Sequence, residues 1–229
     1  MAFNQVINYK AIRLVTTFVL IILSLSSIYA LSDDFERLST LANQRYGQDA
    51  YKTVIELQGL TQRLQSASDL EKLTQINDFF NQKIQFVDDI EVWGISDYWA
   101  TPLESIGHQA GDCEDFAIAK YVFLKKLNID NNRLKLTYVR AQIQNGDTRA
   151  FRAHMVLSYY QTPQSEPLIL DNLTPEILPA SSRKDLSPIF SFNDTGLWVG
   201  SSDKPKAEAQ SNLSRWRDVL SRIRANGIK

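Results

Sequence analysis

The chain has 229 residues, of which 44% are hydrophobic and 22% are charged, a composition typical of a globular protein rather than a disordered, fibrous or multi-span membrane chain. Its formal net charge of −1 argues against a general nucleic-acid binder, which normally carries a strongly basic surface. The single cysteine, Cys113, excludes an internal disulfide and a zinc site built from several cysteines, so its thiol acts by itself.

The amino terminus has the pattern of an export signal. Lys10 and Arg13 precede a stretch without charged side chains, residues 14–32, which ends in small and polar residues around Ala30. We therefore predict a signal peptide over residues 1–30, followed by a single domain over residues 31–229. An uncleaved membrane anchor is the main alternative, because the uncharged stretch approaches the roughly 20 residues that cross a bilayer. A buried core helix is a third reading, but it leaves the basic start unexplained.

Residues 32–86 have the pattern of helices. We expect helices over about 33–46 and 48–65 and a third that begins after Ser68. Ser68 and Glu71 have the spacing of a capping box, in which each side chain bonds a backbone N–H of the other residue. Five apolar residues then recur at steps of three and four and predict one buried face. These residues are Leu70, Leu73, Ile76, Phe80 and Ile84.

Residues 87–111 change in character, because tryptophan, glycine and proline interrupt any periodic pattern. The interrupting residues are Trp93, Gly94, Trp99, Pro102, Gly107 and Gly111. This pattern predicts a long loop, and loops of that length within a domain are usually functional or disordered. A helix over about 113–127 follows, and it is too apolar for a surface helix. It therefore predicts a central, buried helix.

The second half of the chain has the pattern of strands. We place strands over about 134–143, 150–160 and 167–170, and a weaker pair on either side of Asn193-Asp194-Thr195-Gly196. Asn145-Gly146-Asp147 lies between the first two strands and is a hairpin signal. The tail from Ser211 to Ile228 predicts an amphipathic helix that closes the fold, with membrane-surface binding as the alternative. Helices followed by an antiparallel sheet define an α+β fold.

Cys113 lies where the predicted loop meets the start of the buried helix. Unpaired N–H groups and the helix dipole at such a position favour a thiolate, and the same N–H groups can stabilise an oxyanion. His154 lies in a predicted strand and Asp171 at the end of another. Cysteine, histidine and aspartate on separate elements form the triad that a thiol protease or acyltransferase needs. A structural role for His154 and an alternative base, His108, remain open on the residues alone.

Three acidic residues surround the cysteine: Asp112, Glu114 and Asp115. Like-charge repulsion from carboxylates raises the pKa of a thiol, so we expect a cation to offset them. Oxygen ligands clustered in this way suit Ca²⁺, which takes six to eight of them. The alternative is that these acids simply complement the dipole at the start of the helix.

Four stretches of the sequence resemble the bacterial transglutaminase-like cysteine proteinases. They are Trp99-Ala100-Thr101-Pro102-Leu103-Glu104, the run from Gly111 to Tyr121, Arg152-Ala153-His154-Met155-Val156-Leu157 and Leu170-Asp171-Asn172. The resemblance implies a papain-like α+β fold in which Cys113 is the nucleophile, His154 the general base and acid, and Asp171 its orienting partner. It also implies a calcium ion beside the nucleophile, held by Asp112 and Glu114, with Asp115 as a further ligand.

The same resemblance implies a biological role. Such an enzyme acts in the periplasm and cleaves a large surface adhesin near its amino terminus, at a pair of alanines. Release of the adhesin disperses biofilm, and a membrane receptor for cyclic di-GMP binds the protease through its periplasmic domain. A transglutaminase or a cell-wall amidase with the same triad is the alternative enzyme. A secreted binding module, with the loop around Trp93 and Trp99 as its contact surface, is the non-enzymatic alternative.

Overall fold

The computed structural model describes residues 34–145, 148–200 and 213–228. Its helices are α1 (34–46), α2 (Gln48–Arg63), α3 (Asp69–Lys83), α4 (Asp89–Trp93), α5 (Pro102–His108), α6 (Cys113–Lys126) and α7 (Ser214–Ala225). The predicted signal or anchor over residues 1–30 lies outside the described residues, so the boundaries of the leader and the domain remain predictions. Within the described ranges, no helix combines the length and apolar character needed to span a membrane.

The strands form one large sheet and one small one. They are β1 (Gln85–Phe86), β2 (Ala110–Gly111), β3 (Leu134–Asn145), β4 (Thr148–Tyr159), β5 (Leu168–Leu170), β6 (Leu178–Pro179), β7 (Leu186–Phe192) and β8 (Leu197–Val199). The large sheet is antiparallel with the order β6-β5-β4-β3-β7-β8. Its long hairpin of β3 and β4 is in register from Leu134 opposite Tyr159 to Asn145 opposite Thr148. Helices followed by an antiparallel sheet confirm the α+β prediction.

Helix α3 shows why the apolar pattern predicted most of its buried face. The Ser68 side chain caps the helix by accepting a hydrogen bond from the Glu71 N–H at 3.3 Å. Leu73, Ile76 and Phe80 are fully buried, but Leu70 is 59% exposed, so its predicted place on the buried face is wrong. With about 100° of rotation per residue, Leu70 lies roughly 80° from the centre of the apolar stripe, at an edge that the neighbouring elements leave exposed.

The predicted loop over residues 87–111 is wrong, because most of this segment is regular structure. It contains α4, α5 and β2, and β2 pairs in parallel with β1. Helix α5 begins with a capping box: the Thr101 hydroxyl accepts from the Glu104 N–H, and the Glu104 carboxylate accepts from the Thr101 N–H. Pro102 occupies the first turn, where its missing N–H costs nothing. Thr101-Pro102 followed by Glu104 is therefore the sequence signal for this helix.

Helix α6 is the centre of the core, as its apolar sequence predicted. It packs between α3 on one side and strands β3 and β4 on the other. Ten of its side chains are buried over the run from Asp115 to Leu124. Phe80 of α3 packs against Phe123 of α6, with 5.6 Å between ring centroids. The position of the start of α6 is thus fixed by packing on two sides.

Helix α7 closes the core, in agreement with the first reading of the amphipathic tail. Trp216 is completely buried and meets the rings of Tyr121 and Phe192 edge-on, at 5.5 and 5.4 Å. Leu220 and Ile223 continue the same buried face. Because this face contacts the core, it is not exposed for binding a membrane surface.

Truncation of the buried indole should therefore destabilise the fold. We expect Trp216→Ala to lower the free energy of unfolding by about 3–5 kcal/mol, the usual cost of deleting a buried aromatic side chain. Urea denaturation followed by circular dichroism measures this change. Arg217→Ala, at an exposed position of the same helix, is the control and should change the stability by less than about 0.5 kcal/mol. Equal stability of the two variants would contradict the role assigned to α7.

Candidate active site and metal centre

Helix α6 begins at Cys113, as predicted, and a buried carboxylate fixes this start. Asp115 is completely buried. Its Oδ2 accepts from the Asp112 N–H at 3.3 Å, and its Oδ1 accepts from the Ala100 N–H at 2.7 Å. Gly111 makes this contact sterically possible, because a Cβ there would lie 2.7 Å from Asp115 Oδ2. Asp115 therefore ties the start of α6 to the segment before α5.

The Cys113 thiol lies next to carboxylates. Its sulfur donates to Glu114 Oε2 at 3.0 Å. Burial raises the pKa of the thiol, the neighbouring charges of Glu114 and Asp112 raise it further, and only the N–H of Met155 acts in the opposite direction. Burial and the neighbouring carboxylates thus together oppose the thiolate-stabilising effect expected of a helix start. Positive charge near these acids would act in the opposite direction and lower the pKa of the thiol.

His154 and Asp171 lie together, as predicted for a base and its orienting partner. His154 Nε2 is 2.8 Å from Asp171 Oδ1, and both side chains are buried. The pairing of β4 with β5, which sets Leu157 opposite Leu170, brings the two residues together. Burial by itself would raise the pKa of Asp171, but hydrogen bonds from His154, the Leu173 N–H and Arg183, together with the charge of His154, hold it at about 2. Asp171 is therefore an anion at neutral pH.

The Cys113 thiol lies beside β4, the strand that carries His154. The N–H group that reaches the thiol belongs to Met155, the residue after His154. Among the described residues, no hydrogen bond joins the thiol to the imidazole, since the thiol donates to Glu114. Catalytic hydrogen bonds are often formed only in the complex with substrate. With Nε2 directed at Asp171, Nδ1 is the ring nitrogen that remains to exchange a proton.

The alternative base, His108, lies in a different environment. It is exposed at the end of α5, and its ring meets those of Trp93 and Tyr46 edge-on at 4.6 and 5.4 Å. No carboxylate bonds this ring in the part of the chain that the structure describes. The geometry of an oriented imidazole is therefore found at His154 and not at His108.

Acidic side chains from two further positions join those around Cys113. Three groups of candidate ligand atoms each lie within 4.8 Å of one another: Asp112, Cys113 and Glu114; Asp89, Asp112 and Asp115; and Asp89, Asp97 and Glu114. Asp89 and Asp97 were not identified from the sequence. They lie 15 or more positions before Cys113, and only the folding of the 87–111 segment onto the start of α6 brings them there.

These residues fit a divalent cation with oxygen ligands. Asp89 Oδ1 and Asp112 Oδ1 are buried, and neither has a hydrogen-bond partner in the described structure. A buried carboxylate oxygen without a partner is costly unless a cation or water binds it. Asp115 is different, because both of its oxygens accept backbone N–H groups. It therefore caps the start of α6, and its carboxylate also belongs to the second group of candidate ligand atoms, while Asp112 and Glu114, together with Asp89 and Asp97, offer further ligand atoms.

The pKa values of the cluster reflect uncompensated negative charge. Burial is the main cause that raises the pKa of Asp89 to about 6, and the charges of Glu114 and Asp97 add to it. Burial likewise raises the pKa of Asp112 to about 10, with further contributions from Glu114, Asp115 and Asp89. These directions are opposite to that of Asp171, whose carboxylate accepts hydrogen bonds from His154, the Leu173 N–H and the Arg183 guanidinium.

The tryptophans of the 87–111 segment are not an exposed contact surface. Trp99 is only 7% exposed, and its ring stacks on Phe192 of β7 at 5.6 Å. Trp93 is half-buried and packs against Tyr98 at 4.5 Å. These contacts account for both tryptophans structurally and weaken the proposal of a binding module.

Fold and site together define a cysteine proteinase of the transglutaminase-like class. Residues 45–203 match the family model described as bacterial transglutaminase-like cysteine proteinase BTLCP, peptidase family C93, and the chain belongs to this family. Among functionally curated proteins, none matches the sequence significantly.

Solved structures of LapG from Legionella pneumophila are similar to this protein. One shares 38% identity with a TM-score of 0.69 and covers 82% of this chain and 97% of its own. An EGTA-treated form shares 39% identity with a TM-score of 0.71 and covers the same proportions. A calcium-bound form shares 39% identity with a TM-score of 0.69 and covers 82% of this chain and 98% of its own. These similarities confirm the predicted transglutaminase-like fold.

The raised pKa of Asp89 predicts a pH dependence of the metal-free protein. Because the folded state binds this proton more tightly than the unfolded state, the stabilising contribution is complete below about pH 4 and is lost as the pH rises through about 6. In EDTA, the free energy of unfolding of the wild type should therefore decrease as the pH rises through about 6. The contribution of Asp89 to this decrease should be missing in Asp89→Asn. Urea denaturation at several pH values measures the difference between the two proteins. Parallel pH profiles would contradict it.

Proposed function

We propose that this protein is a calcium-dependent, periplasmic cysteine endopeptidase that cleaves a large surface adhesin near its amino terminus, at a di-alanine site. Cleavage releases the adhesin and disperses biofilm, and the periplasmic domain of a cyclic di-GMP receptor controls the protease. The main support is the buried hydrogen bond of 2.8 Å between His154 and Asp171 beside a helix that begins at Cys113. This arrangement occurs in a chain of the C93 family that resembles LapG over nearly the whole of that protein.

The proposed reaction uses the three residues in turn. His154 Nδ1 takes the thiol proton as Cys113 Sγ attacks the scissile carbonyl carbon, and an N–H at the start of α6 stabilises the oxyanion. The C–N bond breaks as His154 returns the proton to the leaving amine, which leaves a thioester on Cys113. Water, deprotonated by His154, then attacks the thioester, and the sulfur regains the proton. Asp171 holds the imidazole in one orientation and stabilises its charged form.

The metal assignment rests on the donor set and on the relative. Asp112 and Glu114, with Asp89 and Asp97, would hold the ion, and Asp115 would support it by fixing the loop. Bound there, Ca²⁺ supplies the positive charge that offsets the carboxylates beside the thiol. LapG from Legionella pneumophila has been solved in a calcium-bound form, which makes calcium the first ion to test.

The location and the partners rest on other support. The basic and apolar pattern of residues 1–30 favours export, and the resemblance to LapG favours an adhesin as substrate and a receptor as partner. If this amino-terminal segment is not cleaved, it is the part of the chain that we propose to contact the membrane. Product mass spectrometry with added free amine separates the enzyme classes, because hydrolysis yields two peptides whereas a transglutaminase yields an amine conjugate.

Replacement of the proposed nucleophile is the first test. Cys113→Ala should reduce cleavage of a di-alanine adhesin fragment to background, because no thioester can form, and His154→Ala should do the same. His108→Ala is the control and should retain activity, since its ring packs against those of Tyr46 and Trp93 in the described structure. Cleavage is followed by gel electrophoresis and mass spectrometry, with circular dichroism as the check on folding. Cleavage by folded Cys113→Ala would refute the proposed mechanism.

Removal of the metal is the second test. EGTA should stop turnover by the wild type, and calcium should restore it. The double variant Asp112→Ala/Glu114→Ala should lose both turnover and the calcium-dependent rise in melting temperature. Asp49→Ala/Glu56→Ala removes two exposed acids of α2 and should respond to calcium like the wild type. Full activity of the Asp112/Glu114 variant in EGTA would rule out the calcium role.

A further inference from the structure

Arg183 contacts the one oxygen of Asp171 that His154 leaves free. Its Nη2 donates to Asp171 Oδ2 at 2.8 Å, while Asp171 Oδ1 accepts from His154 Nε2 at 2.8 Å and from the Leu173 N–H at 3.0 Å. Asp171 is 1% exposed and Arg183 is 4% exposed. Both carboxylate oxygens are therefore fixed by protein groups, and rotation of the carboxylate would break hydrogen bonds at both.

The guanidinium of Arg183 is itself held in place. Its Nε donates to Asp185 Oδ1 at 3.0 Å, and its Nη2 donates to Asp185 Oδ2 at 2.7 Å. The backbone on either side is also tied down, because the Arg183 N–H donates to the Ala180 carbonyl and the Asp185 carbonyl accepts from the Gln142 N–H of β3. Two contacts from one planar group to one carboxylate fix its orientation as well as its position.

The other charged groups that face Asp171 do not replace Arg183. Lys120 of α6 and Asp78 of α3 interact electrostatically with each other, and Lys120 also interacts with Asp171. Burial lowers the pKa of Lys120 to about 7, so this amine is only partly charged near neutral pH. Arg183 stays charged throughout that range. Asn81 of α3 donates from Nδ2 to the Asp171 backbone carbonyl, so it does not bind the carboxylate oxygen that Arg183 contacts.

We propose that Arg183 is a positioning residue of the active site: it holds the Asp171 carboxylate so that Oδ1 faces His154, and Asp185 in turn orients Arg183. This inference rests on the proposed catalytic roles of His154 and Asp171. Without the guanidinium, Oδ2 is a buried anionic oxygen without a partner, and the carboxylate turns toward other donors. The imidazole then loses the acceptor that fixes its orientation and its tautomer.

The test combines a spectroscopic measurement with kinetics on the full chain. The protein has only two histidines, His108 and His154, so the imidazole N–H resonances of 15N-histidine-labelled protein are readily assigned. The wild type should show a slowly exchanging, downfield Nε2–H proton from His154. In Arg183→Met this signal should disappear, and kcat on the di-alanine fragment should fall about 10- to 100-fold with KM changed less than twofold.

Three further variants keep the test decisive. Arg183→Lys retains one donor and should recover part of the signal and part of kcat. Asp185→Asn alters a side chain that is 41% exposed and should give a smaller loss of both, and it serves if Arg183→Met does not fold. Arg133→Met is the matched control, because it removes an ion-paired arginine, bonded to Asp69 at 2.7 Å, that has no contact with the triad. It should leave the His154 signal and kcat unchanged.

The outcomes separate this inference from the proposed function. A His154 signal that persists in folded Arg183→Met, or in folded Asp185→Asn at full kcat, overturns the positioning role. Loss of the signal with kcat unchanged also overturns it. Cleavage by Cys113→Ala, in contrast, refutes the cysteine mechanism whatever the arginine variants show. Loss of the signal together with kcat, with partial recovery in Arg183→Lys, supports the proposal.

Discussion

The buried carboxylate of Asp115 is the constraint on which the arrangement of the site depends. It bonds the backbone on both sides of α5, at Ala100 and at Asp112, and it does so from the first turn of α6. Since α6 is packed between α3 and the sheet, these two hydrogen bonds transfer the rigidity of the core to the loop segments. The thiol, the acidic cluster and the packed aromatics of the 87–111 segment all take their positions from this attachment.

Two groups of carboxylates in one site have opposite surroundings. Asp171 is surrounded by donors and cations, and its pKa is lowered. Asp89 and Asp112 are buried among other acids, and their pKa values are raised. The first group is complete within the protein, whereas the second gains its full set of interactions only with a cation. The carboxylate near His154 is thus stabilised by the protein's own residues, whereas the charge beside the Cys113 thiol depends on a bound cation.

The sequence predicted the parts of the structure that have local or periodic signals. The apolar run of α6, the hairpin of β3 and β4, the place of His154 within a strand and that of Asp171 at the end of another follow from patterns visible in the sequence. Asp89, Asp97 and Arg183 have no such signal, because they reach the site through tertiary folding of segments far apart in sequence. Helix α5 is an intermediate case: its capping box and proline were present, but glycines and tryptophans on either side concealed them. The predicted burial of Leu70 was wrong for a geometric reason, because this residue lies at the edge of the apolar stripe.

The short parallel pair of β1 and β2 has a consequence for the acidic cluster. It sets Gln85 opposite Ala110 and Phe86 opposite Gly111, so the chain between the two strands begins and ends at the same place. The conformational entropy lost in bringing the ends of this segment together is therefore lost when the protein folds and not when an ion binds. Asp89 and Asp97 lie within this closed segment, so the position of their carboxylates near Glu114 is set in part when the protein folds. Substitutions at Asp89 or Asp97 can therefore alter the affinity for a cation while the pairing of β1 with β2 keeps the two ends of the segment together.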